Sequence, residues 1–518
     1  MAERAARRIA ENIVASAPAG WTRAVLAGTA GRHSISLSGE YAVADSPSWG
    51  NPITGPSKEL GSLAEALKES RGWEHTSLEI VCQPSGEYRL VATAGAIGSL
   101  RGQGGGFQAV LDPRYRLPQP GSGQEEGTAA PAGDPELAMA RFREYMQRRA
   151  AILGRPERLP PPASAAALDE AERRIGRSLP ADLRALYLIA DGGGPRYLLE
   201  DYAWLSLEDL IAVHADLREP VWFGWDAAWK SVVFDADPPS TVRRCGGHPA
   251  WLPFATGEDG NYLAVDLAPA RAGRPGQVIC IGRDYDDGPA YIADSITSLL
   301  GQHLRLLEQE AYEKEDDYIF LLQPECNLGT WKIVGKLPAE VPPTLQSLHI
   351  NDAIGLVDLA PLTAAPHLRR LHLNRCATAD LVPIRELPVE SLRLTLEGGD
   401  LTSLAGHRDL TSLDLGTTGP MDIAPLRTVP NLRGLDLSRA DVRDLTVLAD
   451  LRDLRYLALT ARQWTVLLDE GKVPPTLAAV RLADDDALLD EALAWSGRLG
   501  LDSGDVFRAT GTVGSDAG

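Results

Sequence analysis

"LRRLHLNRCATADLVPIRELPVESLRL", residues 368–394, decides the architecture of the C-terminal part of the chain. Its two ends, LRRLHL at Leu368 and VESLRL at Val389, place apolar residues at their first, fourth and sixth positions. The same phase recurs as LQSLHI at Leu345, LTSLDL at Leu410, LRGLDL at Leu432, LRYLAL at Leu454 and LAAVRL at Leu477, with starts 21 to 23 residues apart. Side chains alternate sides along a strand, so the fourth and sixth residues of each unit share one face and the third, fifth and seventh the other. One unit cannot bury its own leucines, whereas stacked units can. DLAPLTAAPH and DIAPLRTVPN read as return segments, and VPPTL precedes both end repeats, at Val341 and Val473.

This pattern resembles bacterial leucine-rich repeat proteins from Leu345 to Ala483, with Cys376 the best substitute for the usual asparagine ladder. The resemblance implies an α/β solenoid whose concave sheet binds protein. The fifth positions form a column, His349, His372, Arg393, Asp414, Asp436, Ala458 and Arg481. Asn351, Asn374, Thr395 and Ser438 flank it on one side, and Arg370 and Tyr456 on the other. His349, His372, Arg393, Asp414, Asp436 and Tyr456 are therefore candidate protein-binding residues. The two stacked histidines lack a carboxylate or cysteine placed to complete a metal site.

A chain of 518 residues is too long for one core and predicts about three domains. No apolar run reaches the length of a membrane span, and MAERAARRIAENIVA reads as an amphipathic helix without a signal-peptide apolar region. Cys82, Cys245, Cys280, Cys326 and Cys376 are scattered without a CxxC pair, which fits a reducing, cytoplasmic setting. A net charge of −20 disfavours direct nucleic-acid binding and suits a basic protein partner, and no membrane partner is expected. No cofactor is expected. The predicted organisation is an α+β domain at 1–118, a flexible linker at 119–140, and an α+β domain at 141–312. A connector and cap at 313–344, repeats at 345–500 and a disordered tail at 501–518 complete it.

In the middle segment, Leu168, Ala171 and Ile175 recur at helix spacing. Ser178 and Pro180 then start a second helix that DGGG at Asp191 stops. Strand-like runs follow at YLLE, SVVF, WLPFATGEDGNYLAVDL and GQVICIGRD, and the helical ADSITSLLGQHLRLLEQE closes the unit. Asp266 and His248 lack partners spaced for a catalytic or metal site, and Asp266 reads as a turn residue accepting amide hydrogen bonds. GQGGGF at Gly102 lacks the Lys-Ser/Thr of a phosphate loop, and GxSxG and HExxH are absent.

Leu179-Pro180, Tyr187, Asp191-Gly192-Gly193, Trp251-Leu252-Pro253-Phe254, Asp259-Gly260-Asn261 and Asp266 with Gly276-Gln277-Val278 together resemble the SUKH superfamily of yeast cell-wall-synthesis regulators and bacterial immunity proteins. The resemblance implies a non-enzymatic, protein-binding α+β scaffold. Loop acids Glu258, Asp259, Asp284, Asp286 and Asp287 are candidate contacts for a basic partner. The first segment orders helix, strands, helix and a hairpin around Pro84 to Gly86. With Pro18-Gly20-Trp21 and Trp73, it is similar to YezG-like immunity proteins. The expectation is a cytoplasmic immunity protein that occludes a basic toxin domain, with no chemistry of its own. A regulatory scaffold that organises cellular partners is the alternative, and an enzyme the remote one. Oligomeric state is open.

Overall fold

The computed structural model describes residues 1–30, 35–43, 51–94, 97–100, 105–194, 197–217, 224–315, 318–322, 329–502 and 505–514. Cys326 and residues 102–104 of the glycine run lie outside them.

The leucine period builds a parallel ladder. Strands at Ser347–Asn351, Arg370–Thr378, Ser391–Leu396, Ser412–Thr417, Gly434–Arg439, Tyr456–Leu459 and Ala479–Leu482 pair in sequence order. The fifth positions stay in register from rung to rung, as His349 opposite His372 and Arg393 opposite Asp414 show. Leu348, Leu371, Leu392, Leu413, Leu435 and Leu457 are buried in one continuous core with the leucines of the return segments. Those returns are short 3-10 turns opened by a recurring aspartate. The side chains of Asp358, Asp380, Asp400, Asp422 and Asp444 each accept the backbone N–H two residues on, satisfying a donor that the tight turn leaves unpaired. The Cys376 thiol donates to the Ile350 carbonyl at 3.5 Å, where an asparagine amide was the usual device.

The ladder begins earlier than its leucines announce. Thr330–Val334 pairs in parallel with Ser347–Asn351, so part of the expected connector is a rung. The hairpin of Tyr312–Glu315 and Tyr318–Leu321 belongs to the middle unit, where Ile319 and Leu321 bury against Tyr145, Leu304 and Leu307.

The middle unit is a six-stranded antiparallel sheet from Tyr197–Leu199 to Ala290–Ala293. Helices Pro135–Leu153, Ala165–Ile175, Ala181–Tyr187, Leu207–Asp216 and Ile296–Glu308 belong to the same unit, and its core joins side chains of all five to the sheet. Pro180 occupies the N-cap of the second expected helix, and Glu172 rather than Ser178 accepts the Leu179 N–H. The Asn261–Asp266 and Gln277–Gly282 strands form the expected hairpin, Asp266 opposite Gln277. SVVF, expected as a strand, lies outside every sheet; Val232, Val233 and Phe234 are buried elsewhere.

Two expectations fail at the joints. The flexible linker 119–140 is held to the middle unit. Arg243 donates to the carbonyls of Gly121 and Gln124, Gln124 accepts the Arg244 N–H, and the Asp134 side chain caps a helix already begun at Pro135. A segment without large apolar side chains cannot build a core, yet its backbone groups still find partners. The expected disordered tail contains a strand, Val506–Thr512, that pairs antiparallel with Glu87–Thr93 of the N-terminal sheet. Phe507 and Ala509 face that core while Arg508 and Thr510 face out. Residues 515–518 of the tail lie outside the described residues.

The N-terminal unit has helices Ala2–Ala15 and Ser57–Arg71 against a sheet of Ile35–Val43, Trp21–Ala30, Thr76–Cys82, Glu87–Thr93 and that last strand. Its Phe107–Val110 strand crosses to the other end of the ladder and pairs antiparallel with Ala479–Leu482.

Candidate functional site

The concave face of the ladder, expected to be open, is occupied by the chain's own middle unit. The segment from Gly224 to Asp235 lies across it, and the ladder's sequence explains how. Each rung presents its third residue on this face, and at one rung that residue is Gly434. A Cβ there would stand 2.8 Å from Cε3 of Trp229, so only glycine admits the indole. On the next rung Tyr456, fully buried, lies almost parallel to Trp229, with ring centres 4.8 Å apart and planes 11° apart. Trp225 lies 6.3 Å from the same ring at 15°, and Tyr115 lies 5.9 Å from Trp225 at 16°. Arg455 covers the Tyr115 ring at 5.4 Å. Tyr115 comes from the N-terminal segment, the tryptophans from the middle unit and Tyr456 from the ladder, so three units meet at one run of rings. Ala458, Ala478 and Ala479 complete its apolar floor. Neither tryptophan belongs to the middle unit's own core.

Ionic contacts fix the same seat. Arg370 holds Asp287 through two hydrogen bonds of 2.7 and 3.1 Å and lies 4.9 Å over the Phe234 ring. Glu390, which is buried, is bridged by Arg369 at 2.7 Å and by Arg244 of the middle unit. The Gln346 side chain closes a reciprocal pair with the Asp235 backbone, accepting its N–H at 2.8 Å and donating to its carbonyl at 2.9 Å.

The candidate binding residues therefore divide. Tyr456 and Asp436 are buried, and His349, His372, Arg393 and Asp414 are half-buried. Asp414 pairs ionically with Arg393 at 3.1 Å and accepts from Arg439 at 2.7 Å, and Asp436 accepts from the Ser438 hydroxyl at 2.6 Å. The imidazoles of His349 and His372 meet edge to face with centres 5.0 Å apart. Burial, then His349, Arg370 and Arg393 beside it, push His372 down to about 2, so both rings hold to the neutral form. Among the described residues no three potential ligands cluster for a metal ion. Asp287 is spoken for by Arg370, whereas Glu258, Asp259, Asp284 and Asp286 are exposed. Of these, Asp259 and Asp284 both accept from the Asn261 amide, at 2.6 and 2.8 Å, which ties two loops together.

Asp266 is buried and accepts the Ala268 N–H at 2.9 Å and the Gln277 amide at 3.0 Å, as a turn residue does. Burial raises its carboxyl to about 7. Cys82, Cys245 and Cys376 are buried free thiols. No helix among the described residues is long and apolar enough to cross a membrane.

The expectations missed Trp225, Trp229, Tyr115 and Gly434. A signal existed: WFGWDAAWK, residues 222–230, carries three of the chain's 11 tryptophans. Their spacing of three and four residues is that of large rings on one face of a helical turn, and a turn too short to form a core of its own marks that face as covering something else.

The SMI1 / KNR4 family (SUKH-1) matches residues 162–302. The "Glucan synthesis regulatory protein" of Neurospora crassa is 50% identical over 152 residues, 23% of this chain and 29% of that protein. The "Cell wall biosynthesis/cell cycle regulator smi1" of Schizosaccharomyces pombe is 34% identical over 136 residues, 24% of this chain and 27% of that protein. The chain thus spans under a third of the length of either relative. Among solved structures, an internalin (inlF) of Listeria monocytogenes overlaps 25% of this chain and 41% of its own at 24% identity and a TM-score of 0.21, too slight a likeness to argue from. Residues 162–302, the part of the chain that carries both tryptophans onto the ladder, are an SMI1/KNR4 (SUKH-1) domain.

Proposed function

We propose that this protein is a non-enzymatic regulatory scaffold, acting in the cytosol, that organises cellular protein partners. The observation that carries this reading is where the SUKH-1 domain sits. The domain is shared with fungal proteins named as regulators of glucan synthesis and cell-wall biosynthesis, and here it is docked on a repeat ladder through aromatic and ionic contacts. Such contacts are those of a protein–protein interface rather than of a reaction centre. The repeat domain and the N-terminal unit are additions that give the domain further surface. The free thiols at Cys82, Cys245 and Cys376 support a reducing compartment.

A second reading, occlusion of a toxin by an immunity protein, draws support from the net charge of −20 and from exposed Glu258, Asp259, Asp284 and Asp286, which suit a basic partner. The fungal relatives favour the first reading.

The test is affinity capture with the full chain from the cytosol and the secreted fraction of its host. Resident cellular proteins recovered in reproducible ratio support the scaffold. Recovery of a single basic toxin domain, whose activity the chain abolishes, overturns it in favour of immunity.

A further inference from the structure

We infer that the Gly434–Tyr456 notch of the ladder is a recognition site for a protein segment bearing two aromatic rings four residues apart on a helical turn, and that the chain's own Trp225 and Trp229 fill it as an internal stand-in for that partner. This deepens the scaffold reading and rests on it.

The occupant's chemistry is read from what occupies the notch now. Trp225 and Trp229 flank the single helical turn Trp225–Ala228, and both rings lie nearly parallel to Tyr456. Gly434 takes the second ring at a distance no side chain would leave, and Ala458, Ala478 and Ala479 offer a floor without bulk. A rung with glycine beside a rung with tyrosine makes a slot for a flat ring, whereas neighbouring rungs carry Ser391, Ser412 and Arg370 at the same position. Asp414 and Asp436 border the slot, and Lys230, directly after the second tryptophan, faces Arg393, Asp414 and Arg481. Burial, with the Arg393 and Arg481 guanidinium groups beside it, holds the Lys230 ammonium below the usual lysine range, so the slot selects for the two rings and not for a cation after them.

Two observations mark the segment as exchangeable rather than as part of a fixed core. The stretch 224–235 contributes no strand to the six-stranded sheet, so its departure breaks no ladder of hydrogen bonds in its own domain. Its tryptophans pack only at the junction, outside the core that holds the domain together. Buried aromatic anchors surrounded by ionic contacts are also how separate proteins hold one another.

The probe is a labelled synthetic peptide of residues 224–236, titrated into the full chain and into full-chain Trp225→Ala/Trp229→Ala. Because the stand-in leaves only a fraction of wild-type molecules open, the variant binds the peptide roughly tenfold or more tightly than wild type does. A peptide with both tryptophans replaced by alanine does not bind. Should the variant fail to fold, wild type serves: excess peptide speeds amide exchange across residues 224–235 while the alanine peptide leaves it unchanged. A folded variant that ignores the peptide, or wild-type exchange that excess peptide does not alter, overturns the inference. So does a concentration-dependent dimer of the wild type in which a second copy supplies the tryptophans. Peptide binding reads the notch alone: if it succeeds while affinity capture returns no resident protein, the scaffold reading falls and the notch stands.

Discussion

Substituting Gly434 with alanine tests how the middle unit is seated. Gly434 has an ordinary extended backbone, so alanine itself fits the strand and stabilises it by about 0.5–1 kcal/mol through lost chain freedom. The added Cβ, however, lies 2.8 Å from Cε3, 3.1 Å from the carbonyl oxygen and 3.3 Å from Cβ of Trp229. Carbon atoms rest at about 3.5–4.0 Å, so the indole must withdraw by roughly 1 Å, and overpacking of this kind costs about 1–3 kcal/mol. Since the carbonyl moves with the ring, rotamer adjustment alone does not relieve the clash. The net effect, about 1–2 kcal/mol, falls on the contact and not on the strand, which raises local opening roughly 5- to 30-fold. Native-state amide exchange reads this directly. Trp229 and Phe234 N–H groups, bonded to the Trp225 and Asp287 carbonyls, exchange faster by that factor, while amides of Ser412–Thr417 hold their rates. Gly416→Ala is the control, because its Cβ meets only the mobile end of Arg439 and the Thr395 hydroxyl at 2.9 Å. Unchanged exchange at 224–235 together with a raised unfolding midpoint would refute the seating of Trp229 on Gly434.

Other outcomes follow from the ionic and titrating groups. Asp287→Lys weakens docking, and Arg370→Asp restores part of it; with Asp287 half-exposed the coupling in a double-mutant cycle is about 1 kcal/mol or less, and a value of several kcal/mol contradicts this picture. His372 is held far below its unfolded value, so the stability it contributes is present above pH 6.5 and is lost as pH falls. By pH 5.5 the loss is about 1.4 kcal/mol, and His372→Gln, which keeps a group near the Ser391 hydroxyl, removes that part of the slope in urea titrations. Asp266 has the opposite sign. Its carboxyl titrates near 7 in the fold, so its ionised form is a burden above that pH that lifts as pH falls toward 4, and Asp266→Asn flattens the wild-type rise between pH 8 and 5. A slope that survives the substitution assigns it to another group.

The ladder was legible because its period is set by leucines whose burial is obligatory, and the hairpin at Asp266 because turn residues announce themselves. The concave face was not. Alternation shows that Arg393, Asp414 and Tyr456 share a side, but a polar residue facing water and one facing a polar surface of the same chain obey the same pattern. Asp287 was rightly placed in a loop, and only its distance in space from Arg370, 83 residues on, reveals that it is engaged. The segment 119–140 was misjudged because composition reports missing side chains and is silent on backbone carbonyls, which are what Arg243 takes up. The last strand was hidden by the glycines and serines that flank it, although Phe507 and Ala509 against Arg508 and Thr510 carry a strand's alternation.

That last strand also sets a problem of timing. Thr93 leaves the ribosome well before Val506 does, and at roughly 5–20 residues per second the interval is about 20–80 s. Throughout it the nascent N-terminal sheet presents Glu87–Thr93 as a bare edge, the kind of template on which newly made chains pair wrongly. Glu87 and Arg89, the two residues of that strand that face solvent, place opposite charges along it and act as gatekeepers until the chain's own end arrives to cover them.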